Sequence, residues 1–342
     1  MMTIEHKIST LGLWSEQIEL RIRNYELGIE KENDFSDAIL RTYQFNKWFT
    51  EENVLLALKN ICDEFLAKEK LEKWIQKYSP VTTQQSQTVG ITMAGNLPLV
   101  GFHDLLCVLM SNHKALIKQS SKDNILLPYL LEILFQIEPQ FKKQVAFSDM
   151  LKGCDAYIAT GSNNSSRYFE YYFGKYPHII RKNRTSIALL NGTESDEDLL
   201  NLGKDIFTYF GMGCRNVGKI LITPNVDLQR LLKVFEHFNY LANHDKYKNN
   251  FDYQLTILLM NKTPCLANDC LILTENKNLH SPLAVLYYEV VDNLKAAIQA
   301  ISQDDLQCIV GKDFIPFGQS QTPSLSDYAD NIDTMKWLLG LG

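Results

Sequence analysis

The sequence predicts an α/β protein with two α/β domains, the first built on a parallel sheet. Three observations carry that expectation. The chain has 342 residues, 45% hydrophobic and 22% charged, a globular composition long enough for two domains. From Thr88 onward, short apolar runs alternate with segments of helical periodicity, the pattern of repeated βα units. A second series of the same kind follows a glycine-rich stretch, Phe210-Gly211-Met212-Gly213-Cys214-Arg215-Asn216-Val217-Gly218-Lys219.

The first 80 residues read as helices. Leu11–Ile29 and Val54–Tyr78 place apolar residues three and four apart with charges between them. Residues 1–87 form a helical region packing on the domain that follows. Val89–Met93 reads as a buried strand, Leu99–Met110 as a helix, Ala115–Lys118 as a strand and Ile125–Phe135 as a helix. Gln144–Phe147 and Ala156–Thr160 are the next strands, and Ser165–Phe173 the next helix. His178–Ile180 and Ser186–Leu190 are further strands. The first α/β domain is drawn at 88–205. Residues 206–310 form the second, with a strand at Lys219–Thr223, helices at Asp227–Asn243 and Tyr247–Met260, and strands at Cys270–Leu273 and Ala284–Val291. The helix Asn293–Ser302 and the strand Leu306–Val310 complete it. The tail, 311–342, ends in a short helix, Thr334–Leu339.

The formal net charge is -6, so no basic face invites nucleic acid. The apolar runs at Leu97–Met110 and Ile125–Phe135 are interrupted by His103, Asp104, Pro128 and Glu132 and are too short to span a bilayer. The N-terminus lacks the basic and apolar regions of a signal peptide. The seven cysteines are an odd number without metal-ligand spacing. Reduced thiols in a cytoplasmic protein fit them, and no metal site is expected.

Among these thiols Cys214 has a setting suited to chemistry. Glycines on either side let the backbone turn sharply and let a substrate approach. Arg215 and Lys219 supply cations that would lower a thiol's pKa from about 8.5. The alternative is a small buried hydrophobe, as free cysteines commonly are. Gly213-x-x-x-x-Gly218-Lys219 has phosphate-loop spacing, but Ile220 stands where a serine or threonine must reach the metal, and a strand follows where a helix should.

Ligands of parallel α/β sheets bind beyond the carboxyl ends of the strands. Two ends are loaded, Ala94-Gly95-Asn96-Leu97-Pro98 and Thr160-Gly161-Ser162-Asn163-Asn164. The second opens a helix whose N–H groups suit an anion such as a pyrophosphate, or simply supplies an N-cap. No GxGxxG occurs. His103 and Asp104 are adjacent and so point apart on a helix; a capped histidine and a helix-terminal charge are expected. Tyr168–Phe173 is aromatic all round, as a buried helix or a subunit contact would be.

With these motifs in order, the chain resembles the aldehyde dehydrogenase superfamily, and within it the acyl-CoA reductase family. The resemblance runs from about Thr88 to the C-terminus. It is carried by Ala94–Gly101, Ala115–Lys118, Thr160-Gly161-Ser162, Phe210–Asn216 and the tail Phe317-Gly318-Gln319 with Asp327–Asp330. It implies an aldehyde-dehydrogenase-like fold, with a Rossmann-like cofactor domain and a second, catalytic α/β domain whose tail returns towards the active site. It implies Cys214 as nucleophile and Asn96 as oxyanion-hole donor with the Cys214 N–H. Lys118 falls on the residue that binds the adenosine ribose or its 2′-phosphate, and Thr160, Gly161 and Ser162 fall near the cofactor diphosphate. The implied reaction is NADPH-dependent reduction of a long-chain fatty acyl-CoA or acyl-protein thioester to the aldehyde, with NADH possible. A homo-oligomer and an acyl-transferring partner protein are implied as well.

One departure shapes that expectation. The glutamate general base of aldehyde dehydrogenases is replaced near Ala188. Without it water is poorly activated and a thioester survives for reduction, although Glu194 lies close in sequence. Two other readings stay open, a cofactor-free acyl-relay subunit and an oxidative NAD(P)-dependent aldehyde dehydrogenase.

Overall fold

Thr3 starts the first helix, its hydroxyl accepting from the His6 N–H at 3.2 Å, as an N-cap does. In this computed structural model, which describes residues 2–29, 34–78, 85–161 and 163–341, helix α1 (Ile4–Glu26) buries Ile8, Leu11, Trp14, Ile18 and Ile22 along one face. Helices α2 (Asp34–Phe45), α3 (Glu51–Asn60) and α4 (Lys68–Ile75) follow. The single helix expected over Val54–Tyr78 is interrupted. Ile61–Leu66 forms a wide π-turn, and Ala67 is extended at ψ 122° before α4 begins.

The strand–helix alternation then appears as β1 (Thr88–Thr92), α5 (Phe102–Met110), β2 (Lys114–Lys118), α6 (Leu126–Ile137), β3 (Val145–Phe147), β4 (Ala156–Thr160), α7 (Asn163–Phe173) and β5 (His178–Arg181). The five strands form one parallel sheet in the order β3-β2-β1-β4-β5. Val89, Ile91, Ala115, Ile117 and Ala156–Ala159 are buried, as in a sheet covered on both faces. α1 lies on α6, with Trp14 Nε1 donating to the Leu130 carbonyl at 2.9 Å.

The second sheet contains β6 (Thr185–Leu190), β7 (Val217–Ile222), β8 (Leu266–Ala267), β9 (Ile272–Glu275), β10 (Val285–Val290) and β11 (Leu306–Val310) in the order β11-β6-β7-β10-β9-β8. All its pairs are parallel except β8–β9. Its helices are α8 (Asp196–Phe207), α9 (Leu228–Phe235), α10 (Asp245–Met260) and α11 (Leu294–Gln299). The short antiparallel β8 is absent from the sequence expectation, because two residues are too few to show a period. After β11 the chain reaches α12 (Thr334–Leu339).

The chain divides into two compact units, Met1–Lys182 with Pro323–Gly342, and Asn183–Thr322. β6 and α8 therefore lie in the second unit, and α12 in the first. Among the described residues no helix is long and apolar enough to cross a membrane.

Candidate functional site

α8 ends in a turn that the chain can make only with left-handed backbone. Tyr209, Phe210 and Gly211 have φ of 54°, 58° and 74°. Such conformations are unfavourable for residues with a side chain and collect at functional sites. Ring contacts hold the strained residues in place. Phe210 lies 4.5 Å from the His244 ring and 5.9 Å from Tyr247, and the buried Tyr247 hydroxyl donates to the Cys270 carbonyl at 2.8 Å.

The next turn carries Cys214, and Asn216 closes it. The Asn216 Oδ1 accepts from the Gly213 N–H at 2.8 Å. Its Nδ2 faces the carbonyls of Asp205, Ile206 and Thr208 at 3.1, 3.2 and 2.8 Å. These belong to the last residues of α8 and the turn behind it, where carbonyls lack helical partners. One carboxamide thus caps a helix and fixes the loop that presents the thiol. The tail is tied to the same place. Arg215 Nε donates to the Ser320 carbonyl at 2.5 Å, and the Asp205 carboxylate accepts from the N–H groups of Gly318 and Ser320 at 2.6 and 2.9 Å. Burial pushes the Asp205 carboxyl up against those two bonds.

Of the two cations expected beside Cys214, Lys219 is committed elsewhere. It is buried in β7, with its Nζ 2.5 Å from Glu289 Oε2 and 2.9 Å from the Lys277 carbonyl. Ala188 is fully buried in β6 between Ile220 and Val310 and offers no acid or base. Glu194 caps the turn after β6, each carboxylate oxygen accepting one N–H, from Asn191 at 2.8 Å and Gly192 at 2.9 Å.

In the first unit the remaining candidates lie at the carboxyl ends of the three central strands. Asn96 is exposed in the loop after β1, Lys118 is exposed at the end of β2, and Thr160 and Gly161 close β4 ahead of α7. The order β3-β2-β1-β4-β5 reverses between β1 and β4, which is where parallel α/β sheets open a ligand crevice. The Asn96 loop is held tightly. A Cβ on Gly95 would stand 2.4 Å from Ser120 Oγ, so only glycine fits, and the Leu99 N–H donates to Asp123 Oδ2 at 2.8 Å. Ser162 lies outside the described residues. An exposed lysine and the N-terminus of an eleven-residue helix at one crevice suit a dinucleotide phosphate group. Among the described residues no group of His, Cys, Asp and Glu could hold a metal ion.

Three expectations are met only in part. His103 is capped only in part, by a hydrogen bond to the Leu325 backbone. It stacks between Phe65 at 4.8 Å and Tyr328 at 5.1 Å, its buried Nε2 has no hydrogen-bond partner, and burial pushes its pKa down to about 4. Asp104 does lie in the first turn of α5, as a helix-terminal charge would, but it is not solvated. It is buried against Arg181 Nη2 at 2.5 Å, beside the Thr334 hydroxyl. Of the two readings of the aromatic helix α7, the buried helix is removed and the subunit contact is left standing. Tyr168, Tyr171 and Tyr172 are exposed, while Phe173 stacks on Tyr157 at 4.2 Å. Sequence reasoning also passed over Ser186, whose hydroxyl donates to the Cys214 carbonyl at 2.9 Å. Its only signal was a small polar residue inside an apolar strand.

The acyl-CoA reductase (LuxC) family profile matches residues 9–229. No curated protein matches the chain in sequence. Solved structures match it in fold. Aldehyde dehydrogenase 21 of Physcomitrella patens, in complex with succinate, is 12% identical with a TM-score of 0.65, over 99% of this chain and 84% of that one. A mutant indole-3-acetaldehyde dehydrogenase of P. syringae, in complex with NAD+ and IAA, is 10% identical with a TM-score of 0.64, over 90% and 72%. The putative aldehyde dehydrogenase PutA of Anabaena variabilis is 13% identical with a TM-score of 0.59, over 92% and 79%. At these identities the likeness establishes the aldehyde-dehydrogenase-like α/β fold.

Proposed function

The chain belongs to the acyl-CoA reductase (LuxC) family, and from that premise we propose that it reduces a long-chain fatty acyl thioester to the aldehyde through a covalent intermediate on Cys214, with NADPH as donor. The observation that carries this reading is the strained turn that Asn216 clamps around a partly exposed cysteine. A thiol on an ordinary structural turn needs neither the strain nor the clamp.

Cys214, as thiolate, attacks the thioester carbonyl, and the oxygen takes the negative charge. The Asn96 carboxamide and the Cys214 N–H donate to that oxygen, the kind of preorganised stabilisation worth several kcal/mol in acyl transfer. The carrier leaves as a thiolate and the acyl group stays on Cys214. The chemistry that a reduced nicotinamide supplies when bound is hydride, delivered to the acyl carbon. Collapse of the Cys214 thiohemiacetal releases aldehyde and regenerates the thiolate. With Ala188 in β6 and Glu194 occupied by two N–H groups, no carboxylate at these positions activates water, so the thioester outlasts hydrolysis. Lys118 would hold the adenosine ribose or its 2′-phosphate and the start of α7 after Thr160-Gly161-Ser162 the cofactor diphosphate, the first unit serving the cofactor and the second the nucleophile. The carrier is CoA or a protein thiol, and the enzyme works as a homo-oligomer in the cytoplasm.

Acyl-CoA and NADPH are expected to give aldehyde, and Cys214→Ala to lose at least about a thousandfold in rate together with the acyl adduct seen by intact-protein mass spectrometry. Full activity in that variant would remove the thiol mechanism. Fluorescence titration with NADPH separates the cofactor-free relay, which predicts acylation without nicotinamide binding.

A further inference from the structure

Ser186 stands between two breaks in register. On one side Thr185 faces Leu306 and Ile187 faces Ile309, so Gln307 and Cys308 together oppose Ser186 alone. On the other side β6 slips against β7 between Ser186 and Ile187. Bulges of this kind bend strands and re-aim side chains beside functional sites. Here the Ser186 hydroxyl meets two groups, the Cys214 carbonyl at 2.9 Å and the Cys308 sulphur at 3.0 Å. Its single proton goes to the carbonyl, so Cys308 is the donor to the serine oxygen. Two hydrogen bonds and one oxygen atom separate the Cys308 sulphur from the backbone of Cys214.

The other thiols differ. Cys62, Cys107, Cys154 and Cys270 are buried, and burial pushes their pKa values up, to about 12 for Cys62 and Cys270. Cys214, Cys265 and Cys308 are partly exposed, and the Cys308 sulphur and the Cys214 backbone carbonyl meet at Ser186.

We propose that Cys308 is a resolving thiol for Cys214, and that a peroxide converts the pair to a disulfide. The proposal rests on the reading of Cys214 as a reactive thiol. The Cys214 thiolate attacks the peroxide, whose O–O bond breaks. One oxygen remains on sulphur as a sulphenic acid, and the other leaves as alkoxide or hydroxide. The peroxide takes both electrons. The Cys308 sulphur then attacks the sulphenic sulphur, the S–O bond breaks, and hydroxide leaves as water with the Cys308 proton. The disulfide blocks acyl transfer while it lasts and keeps Cys214 from irreversible oxidation to sulphinic and sulphonic acids. A thiol reductant restores both cysteines.

The test is disulfide mapping of the full chain after a limited dose of hydrogen peroxide and alkylation of the remaining thiols. The expected result is a peptide pair joining Cys214 to Cys308, lighter by two hydrogens than the two thiol peptides and abolished by dithiothreitol. In Cys308→Ser the same dose is expected to leave sulphinic and sulphonic acid on Cys214 that dithiothreitol does not reverse. Over-oxidised Cys214 with alkylated Cys308 in the unmodified protein would overturn the proposal, as would a bond from Cys214 to Cys265. Mapping does not depend on activity. A Cys214→Ala variant that still reduces acyl-CoA would refute the nucleophile assignment and leave the mapped bond standing.

Discussion

Asn216 shows how much one side chain decides around Cys214. Its carboxamide serves the Gly213 N–H and the carbonyls of Asp205, Ile206 and Thr208 at once. Asn216→Ala leaves those groups unpaired at a buried site, at a cost of roughly 1–3 kcal/mol, and frees the turn. Denaturant unfolding should register the loss, and the rate of Cys214 alkylation by iodoacetamide should rise; an unchanged unfolding midpoint would contradict the clamp. Asp123, under the Asn96 loop, makes a pH-dependent contribution. Burial lifts its carboxyl to about 6, against the Leu99 N–H bond that favours the charge. A raised pKa means that the folded state holds the proton more tightly than the unfolded one. The protonated carboxyl therefore stabilises at low pH, and that contribution is lost as pH rises from about 4 to about 6. His103 has the opposite slope, since its pKa falls to about 4 and the folded state resists protonation. Asp123→Asn should abolish the Asp123 part of the pH dependence, so that less stability is lost as pH rises over this window; thermal unfolding between pH 4 and 7 would read the change.

At the scale of elements, the first sheet is closed by a buried ion pair. Arg181, at the end of β5, reaches Asp104 on α5 at 2.5 Å and also donates to the Ala329 carbonyl and the Thr334 hydroxyl. Burial opposes the Arg181 charge, and Asp104 more than compensates, leaving its pKa raised. Removing one partner strands a charge in the core. Asp104→Leu is expected to cost about 3–5 kcal/mol, whereas Asp104→Leu with Arg181→Met should recover most of it. A double-mutant cycle by urea unfolding checks this, and additive effects of the two changes would contradict it. The same sheet shows what periodicity reads well. Strands β1, β2 and β4 fall within a residue or two of their sequence-drawn limits because unbroken apolar runs mark strands buried on both faces. The helix drawn over Leu99–Met110 begins later, at Phe102, since Leu99 takes a left-handed φ of 58° that no apolar pattern announces.

For the whole molecule, the last twenty residues belong to the first unit although the preceding 140 form the second. Leu325, Tyr328, Met335 and Leu338 are buried in the first unit's core, and the ring of His113 bonds the Leu338 carbonyl at 2.9 Å. Trp74 Nε1 and the Tyr78 hydroxyl meet the Tyr328 hydroxyl at 2.9 and 2.8 Å. At about 1.5–3 kcal/mol for each large apolar side chain, the segment supplies much of a typical domain's stability of about 5–15 kcal/mol. A chain ending at Thr322 is therefore expected to lose amide protection throughout β1, β2 and β4 while β6, β7 and β10 keep theirs. Hydrogen exchange with mass spectrometry would show it, and uniform protection would contradict it.

The sequence by itself determined the α/β class, the kind and order of nearly every strand and helix, and the glycine-flanked cysteine turn. All of these are local, written in periods of two and 3.6 residues and in the backbone freedom of glycine. The family resemblance was legible in the same short motifs. Tertiary structure decided the pairings. It showed that Lys219 answers Glu289 across 70 residues, that Asp104 answers Arg181 across 77, and that Ser186 stands between Cys214 and Cys308, 28 and 122 residues away. Such partners are set by which strands become neighbours and where their register breaks, and the free energy of that choice is spread over a whole sheet, beyond the reach of any short stretch of chain.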